Sequence, residues 1–265
     1  MDPATFAGLA IAFGAVIGSI YLEGSTPMSV LLPAPMLLVF GGTLGAGLAS
    51  GTTRDAILAF TTLPKWLRFA KPDLDSTVDV VVGLADRARR EGLLSLEDAA
   101  RTVDDEFLRN GLQAAIDGTD PDDLRDMLED RIASKRAADK LLAKFFTSMG
   151  GYAPTIGIIG TVISLVHVLE NLSKPEELGH MIAAAFVATL WGLLSANLMW
   201  LPIGARITRC SELECAHMEI AVEGLLAIQS GANPRLVGQR LRSLMPPDVQ
   251  AKDPAKKDTA KKVAA

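Results

Sequence analysis

The sequence contains four long apolar stretches, and they constrain its fold more than any other feature. The stretches are Ala4–Leu22, Ser29–Ala49, Gly151–Leu172 and Met181–Ala205. A helix of about 20 apolar residues crosses the roughly 30 Å hydrocarbon core of a bilayer. Hydrophobic residues make up 49% of the chain and charged residues only 22%. The stretches therefore predict four transmembrane helices, and the first, which lacks a basic leader region and a clear cleavage site, is a retained span.

The distribution of basic residues predicts the orientation of these spans. Residues 50–148 contain 15 Lys and Arg residues and residues 206–265 contain 10, whereas the rest of the chain has only Lys174. Basic residues next to membrane spans collect on the cytoplasmic side. The predicted fold is an all-α membrane protein with four transmembrane helices in two antiparallel pairs. A helical cytoplasmic domain separates helices two and three, and the C-terminal helices and both termini are cytoplasmic.

These patterns divide the chain into five segments. They are transmembrane helices 1 and 2 in 1–50, a cytoplasmic helical domain in 51–147, transmembrane helices 3 and 4 in 148–206, cytoplasmic C-terminal helices in 207–245 and a basic tail in 246–265. The tail is poor in apolar residues, so we predict that it is disordered.

Local signals predict helices within the cytoplasmic domain. A helix from about Thr77 to Arg90 should end at Gly92, and Ser95 followed by Asp98 resembles a capping box for the next helix. A further helix, Leu124–Thr147, should run nearly without a break into the third span.

Two other helices are predicted at the edges of these segments. Apolar and basic residues alternate between Leu58 and Lys71, which is typical of an amphipathic helix at the membrane surface, although a helix packed on the protein fits as well. Gly231 should end the helix that follows the fourth span. Asn233 and Pro234 are a cap and a first-turn proline for a short last helix.

Charge and motifs exclude several classes of function. The net charge is −5, so no bulk positive field exists to bind nucleic acid. The chain contains no phosphate-binding loop, zinc-protease or nucleophile-elbow motif. Its three histidines, His167, His180 and His217, are too dispersed to suggest a catalytic triad, and Cys210 and Cys215 form neither a disulfide framework nor a zinc pattern. We predict no enzyme activity, no cofactor and no metal.

The spans contain small polar residues and prolines but no deeply placed carboxylate. Thr161 in span three and Thr189 in span four are predicted at similar depths, and Pro154 and Pro202 lie near the cytoplasmic ends. The hydroxyls either line an ion path or only bond to backbone carbonyls, and the prolines are either coupling elements or simple kinks. If ions move here, another chain must supply the titrating group.

A charged turn in the cytoplasmic domain is the second candidate site. Arg89 and Arg90 precede Gly92, and Glu97 and Asp98 follow it. Charges of both signs at two helix ends suit a charged protein partner, although a solvated turn with favourable helix-dipole placement has the same pattern.

Several motifs occur in order along the chain. They are Val39-Phe40-Gly41-Gly42-Thr43-Leu44-Gly45-Ala46, Ala153-Pro154-Thr155-Ile156-Gly157-Ile158-Ile159-Gly160-Thr161, Ala188-Thr189-Leu190-Trp191-Gly192 with Asn197 and Leu201-Pro202, Glu223-Gly224 and Gly231-Ala232-Asn233-Pro234. Together they resemble one family, the A subunit of the bacterial flagellar motor stator (MotA/PomA family). The resemblance covers nearly everything before the tail.

The resemblance implies an inner-membrane ring of five such subunits in the lipid bilayer, around a dimer of a B subunit. That partner brings a membrane aspartate and grips peptidoglycan. Ion flow turns the ring, which pushes the flagellar rotor switch protein through Arg89 and Glu97, with Arg90 as the alternate to Arg89. The resemblance also implies that Pro154 and Pro202 couple ion transfer to conformational change and that Thr189 lies on the ion path.

Two positions depart from the family pattern. Sodium-driven relatives tend to present three threonines, and here Ala188 replaces one of them beside Thr161 and Thr189. Because a sodium site needs several oxygen ligands, we predict a proton, with sodium as the alternative. Trp191 stands where an aromatic such as tyrosine is more usual.

Two other functions fit the same sequence. One is a related ion-driven energiser of envelope transport or defence, and the other is a membrane scaffold that conducts no ions. The two-plus-two arrangement of spans and the charged turn favour the flagellar interpretation.

Overall fold

A computed structural model describes the backbone of residues 3–245 and the side chains of residues 7–245. The tail predicted to be disordered lies outside the described residues. Every regular element in the described range is helical. The helices are α1 (Pro3–Leu22), α2 (Pro33–Ala49), α3 (Thr53–Leu67), α4 (Leu74–Glu91), α5 (Glu97–Arg101), α6 (Glu106–Ile116), α7 (Pro121–Glu170), α8 (Pro175–Gln229) and α9 (Pro234–Leu244).

The chain divides into two compact units. The first comprises Met1–Lys71 with Ala137–Ser211, and the second comprises Pro72–Arg136 with Glu212–Ala265. Helices α7 and α8 contribute residues to both units.

Two helices of the described chain are long and apolar enough to cross a membrane. They are α7, with 50 residues, and α8, with 55 residues, and the apolar helices Ala7–Leu22 and Pro33–Ala49 are shorter. Helix α7 runs without a break from Pro121 to Glu170. This confirms the predicted continuity of Leu124–Thr147 with the third span.

The second apolar helix begins later than predicted. A short 3-10 helix occupies Pro27–Val30, and α2 begins only at Pro33. The physical reason is that Pro33 and Pro35 have no N–H to donate to carbonyls of the preceding turn, so a helix cannot run through from Ser29.

In the first unit, α2 packs closely on α7. A β-carbon added to Gly42 would lie 3.0 Å from the Ile156 side chain, and one added to Gly47 would lie 3.0 Å from Met149. Absence of side chains at these glycines therefore lets the two helices approach, as is common in membrane bundles.

Helix α3 also belongs to the first unit and has two different faces. A capping box between Thr52 and Asp55 begins it, and it buries Ala56, Ala59 and Trp66. The opposite surface leaves Ile57 60% exposed and Leu58 43% exposed. This bare apolar face supports the prediction of a helix at the membrane surface, which stays a prediction.

The second unit has a core of aliphatic side chains. They come from α4, α6 and α9, from the start of α7 (121–136) and from the end of α8 (212–229). Its fully buried members include Val78, Leu112, Leu128, Leu225 and Leu241. Helix α4 begins at Leu74, three residues before the predicted start, because Asp73 caps it by accepting a hydrogen bond from the Ser76 N–H at 3.3 Å.

Two predicted helix ends in the second unit are confirmed. Gly92 ends α4 with a φ of 83°, a left-handed conformation that glycine adopts without a steric penalty. Asn233 caps α9 by accepting a hydrogen bond from the Arg235 N–H at 3.0 Å, with Pro234 in the first turn.

Glu223 and Gly224, which form one of the family motifs, hold several helices of the second unit together. The Glu223 carboxylate accepts hydrogen bonds from Arg125 on α7 at 3.4 Å and pairs with Arg240 on α9 at 2.6 Å. A β-carbon added to Gly224 would lie 2.7 Å from Val81. The pair therefore joins three helices and permits a fourth to pack closely.

Candidate ion path and charged turn

The first candidate site lies where α7 and α8 touch through their backbones. A β-carbon added to Gly157 would lie 2.9 Å from the Ala188 carbonyl oxygen and 3.1 Å from the Gly192 Cα. One added to Gly192 would lie 2.8 Å from the Ala153 carbonyl oxygen. Only glycine permits this approach at either position, so these two residues set the distance between the helices.

This close crossing brings the two predicted threonines together. The Thr161 and Thr189 hydroxyls are within hydrogen-bond distance of each other, and both side chains are part-buried. Thr161 Oγ1 also lies 3.2 Å from the Gly157 carbonyl oxygen and 3.1 Å from that of Ala185. The Thr161 hydroxyl thus bonds to backbone carbonyls, which was one of the two interpretations of the sequence. It also contacts the Thr189 hydroxyl, which is the arrangement that the other interpretation, an ion path, needs.

One hydroxyl hydrogen cannot serve all of these acceptors at once. Each threonine has a single O–H donor and a lone-pair acceptor. The pair can therefore reorient, with the Thr161 hydroxyl donating to Thr189, to Gly157 or to Ala185. Such a pair can solvate a passing cation or relay a hydrogen bond without any movement of the backbone.

The predicted prolines lie at a second contact between the same two helices. A β-carbon added to Gly150 would lie 2.6 Å from the Leu201 side chain, so the turn before Pro154 meets the residue before Pro202. Helix α7 passes through Pro154 without interruption. In α8 a wide turn with π-helical hydrogen bonding spans Ala196–Trp200 and ends two residues before Pro202. Such turns mark sites where a helix adjusts its hydrogen bonds.

Two features of this unit were not predicted from the sequence. Thr43 is completely buried in α2, and its Oγ1 has no hydrogen-bond partner among the residues that the structure describes. The roles of Gly157 and Gly192 were also missed. Their presence in motifs rich in small residues is the signal that would have indicated a close helix crossing.

The second candidate site is the charged turn between α4 and α5. Arg90 pairs with Asp86 at 2.9 Å and Glu97 pairs with Arg101 at 3.2 Å, both within one helix. Within the described residues, Arg89 is exposed and has no ion pair in the structure. Exposed pairs of this kind contribute only about 0–1 kcal/mol, so a charged partner can displace them easily.

The predicted capping role of Ser95 is wrong. Its hydroxyl donates to the Gly92 carbonyl oxygen at 2.6 Å, and α5 begins after Leu96 without a side-chain cap. The reason is a 3-10 turn over Leu93–Leu96, which uses Ser95 inside the turn. Leu96 is completely buried, whereas Leu94 is 76% exposed. The Leu96 side chain therefore attaches the turn to the core of the second unit, and the other side of the turn faces outward.

A half-buried histidine in the second unit was not predicted to have local partners. The side chain of His217 on α8 is 12% exposed, and its Nε2 lies 2.7 Å from Thr77 Oγ1 on α4. Its Nδ1 lies 3.7 Å from Asp105 Oδ2, next to α6. Thr77 also donates to the Asp73 carbonyl oxygen at 3.1 Å. His217 therefore lies between three helices of the second unit, in contact with Thr77 of α4 and close to Asp105 at the start of α6.

Replacing His217 with alanine should destabilise the second unit. The change removes one part-buried hydrogen bond and the packing of the imidazole between three helices, so we expect the free energy of unfolding to fall by about 1 kcal/mol. Limited proteolysis of the purified protein during a thermal ramp measures this, with Arg235→Ala as an exposed control. Equal melting of both variants would contradict the three-helix role of His217.

The described residues form an all-helical protein. It has two helices that are long and apolar enough to cross a membrane, a hydroxyl pair between those two helices, and a second unit that carries a charged turn. Comparison with known proteins identifies the family. A model described as the MotA/TolQ/ExbB proton channel family matches residues 99–220, and a model described as Motility protein A N-terminal matches residues 6–92.

Sequence and structural relatives agree with these models. Motility protein A of Bacillus subtilis (strain 168) is 34% identical over 250 residues, which cover 93% of this chain and 92% of that protein. A chain of the flagellar MotAB stator complex from Bacillus subtilis matches with a TM-score of 0.87 and 32% identity, covering 93% of this chain and 97% of that chain. A chain of C. jejuni MotAB matches with a TM-score of 0.89 and 25% identity, covering 96% and 98%.

The chain therefore belongs to the MotA/TolQ/ExbB proton channel family, as a flagellar stator subunit of the MotA/PomA group. This confirms the family resemblance found in its sequence motifs.

Proposed function

We propose that this chain conducts protons along the Thr161–Thr189 pair and converts their flow into torque on the flagellar rotor. The observation that carries the proposal is this hydroxyl pair, which backbone contact at Gly157 and Gly192 holds in place. Residues 151–169 and 178–205 contain no Asp or Glu. A proton carrier in this region must therefore come from another chain, and a B subunit with a membrane aspartate meets that need.

The assembly we propose is a ring of five copies around two B subunits in the bacterial inner membrane. Each copy contributes four spans, with both termini in the cytoplasm. Large apolar side chains on the surface of α7 and α8 support burial against lipid or other subunits. They include Ile158 at 56% exposed, Ile163 at 56% and Phe186 at 69%.

A proton is the favoured ion because the residue next to Thr189 is Ala188, which has no hydroxyl. Ala188 is 1% exposed and lies against Gly160, where an added β-carbon would be 2.8 Å from the Ala188 Cβ. This position offers no oxygen ligand, so the site has two hydroxyls where sodium-driven relatives tend to have three. Sodium would lose a ligand, whereas a proton needs only a carboxylate and a hydrogen-bonded path.

Pro154 and Pro202 are proposed to couple proton transfer to movement of the helices. The wide turn at Ala196–Trp200 supports this role, because helical hydrogen bonds can shift there without a break in α8. The contact of Gly150 with Leu201 means that a shift in one helix displaces the other.

The charged turn is proposed to contact the rotor switch protein. Arg89 is the principal contact because it is exposed and has no ion pair among the described residues, while Arg90 and Glu97 must first leave Asp86 and Arg101. The buried Leu96 anchors the turn, so force on these side chains reaches the core of the second unit directly.

Reversing the charge of Arg89 should impair swimming strongly, because an attractive contact with the rotor becomes a repulsive one. We expect Arg89→Glu to lower swimming speed several-fold at normal stator abundance. A reversed charge at the facing rotor residue should restore part of the speed. Arg235→Glu is the matched control, an exposed arginine of the same unit. Failure of every reversed rotor charge to rescue would indicate a solvated turn.

Deletion and complementation test the proposed function as a whole. An in-frame deletion should give cells that build filaments but do not swim, and the restored gene should restore swimming. Normal swimming after deletion, in a strain without a second stator, would show that this subunit drives another machine, and envelope transport would be examined next.

A further inference from the structure

We propose that Trp191 is a positioning residue that fixes the rotation of α8 and so holds Thr189 against Thr161. The inference rests on the proposed ion path. It gives a role to the tryptophan at position 191, where a residue such as tyrosine is more usual in the family.

The indole of Trp191 bonds to the chain segment before α2. Its Nε1–H donates to the Val30 carbonyl oxygen at 2.6 Å. Val30 is the last residue of the 3-10 helix, and the residue three places on is Pro33. Because proline has no N–H, Pro33 cannot donate the backbone hydrogen bond that would continue this helix. The indole supplies a donor in its place.

The location makes this hydrogen bond important. Val30 is half-buried, and a backbone carbonyl that loses its donor where water has limited access costs free energy. A tyrosine or phenylalanine at position 191 has no N–H at the indole position. The bond therefore depends on tryptophan and on the proline that leaves the Val30 carbonyl open.

A second contact holds the same indole from the side. The ring centroids of Trp191 and Phe40 are 5.7 Å apart, with an interplanar angle of 55°. This is a favourable tilted arrangement for an aromatic pair. Trp191 thus contacts both α2, through Phe40, and the segment that leads into it, through Val30.

Trp191 and Thr189 lie on nearly opposite sides of α8. Two residues advance a helix by 200°, which leaves the side chains about 160° apart. On one side, Thr189 meets Thr161 and Gly192 contacts Gly157. On the other, Trp191 contacts Val30 and Phe40. A helix held on both sides cannot turn about its axis without breaking one contact, so Trp191 determines where the Thr189 hydroxyl points.

Cysteine cross-linking in membranes tests this inference without relying on motor function. Thr161→Cys with Thr189→Cys should form an intrachain disulfide, quantified by mass spectrometry of the linked peptides. Adding Trp191→Phe removes the N–H but keeps an aromatic ring against Phe40. We expect the disulfide to form about threefold more slowly, the effect of one average hydrogen bond between membrane helices.

Trp200→Phe is the matched control. Trp200 is on the same helix and 7% exposed, and within the described part of the chain its Nε1 has no hydrogen-bond partner. Removing that N–H should leave the cross-linking rate unchanged. Equal rates in the Trp191→Phe and parent proteins would overturn the inference, whatever the effect on swimming.

Motility then shows whether positioning matters for the motor. In the chain with both threonines, Trp191→Phe should reduce torque at every proton gradient while stator abundance stays normal, and Trp191→Tyr should not restore it. A slower cross-link with unchanged torque would place Thr189 outside the ion path and count against the proposed function while leaving the positioning role intact.

Discussion

Replacing Gly192 with alanine should abolish most motor torque although the protein still reaches the membrane. The added β-carbon would lie 2.8 Å from the Ala153 carbonyl oxygen and 3.0 Å from the Gly157 Cα. Both are backbone atoms and cannot rotate away, so α7 and α8 must separate. Overpacking of this kind costs about 1–3 kcal/mol. The separation also moves Thr189 away from Thr161, which affects the ion path directly.

Gly179 on the same helix provides the control. A β-carbon added there would meet nothing within 4 Å, so Gly179→Ala should leave torque unchanged. Rotation of a tethered cell or an attached bead measures torque, and immunoblotting of membranes measures abundance. Normal torque in Gly192→Ala would show that the close crossing of the helices has no functional role.

Replacing Thr161 or Thr189 with valine should remove most torque while the stator still assembles. Valine keeps the shape of threonine but has no hydroxyl. In Thr161→Val the carbonyl oxygens of Gly157 and Ala185 lose the donor within 3.2 Å of them, and in either variant the bond between the two hydroxyls is lost. The ion then crosses this region with one hydroxyl instead of two. We expect torque to fall by at least about tenfold, the effect of one lost charge-assisted bond of about 1.5 kcal/mol.

Serine at the same positions separates the hydroxyl from the methyl group. Thr189→Ser should retain most torque, because the donor and acceptor remain. A valine variant that performs as well as the serine variant would mean that the hydroxyls only stabilise the helix pair.

The sequence predicted the elements of this fold better than their contacts. Gly92 and the Asn233-Pro234 pair act locally, so the helix ends that they specify were predicted correctly. The start of α2 was predicted incorrectly at Ser29, because Pro33 and Pro35 move it to Pro33. Ser95 was misassigned because its hydroxyl bonds inside a 3-10 turn, and composition does not distinguish that turn from a helix start.

The contacts between distant residues could not be predicted from spacing. Thr161 and Thr189 were placed at similar depths, but their hydrogen bond depends on Gly157 and Gly192, which act only when two helices cross. Likewise, Thr77 and His217 are 140 residues apart. Such pairs arise from tertiary packing, and hydrophobic patterns carry no information about them.

Bead rotation by a motor with this chain as its sole A subunit tests the central claim most directly. A protonophore collapses the proton gradient in one arm, and replacement of external sodium by potassium collapses the sodium gradient in the other. The account predicts that rotation stops with the protonophore and continues without sodium. Continued rotation after collapse of the proton gradient would contradict proton flow past Thr161 and Thr189 as the source of torque.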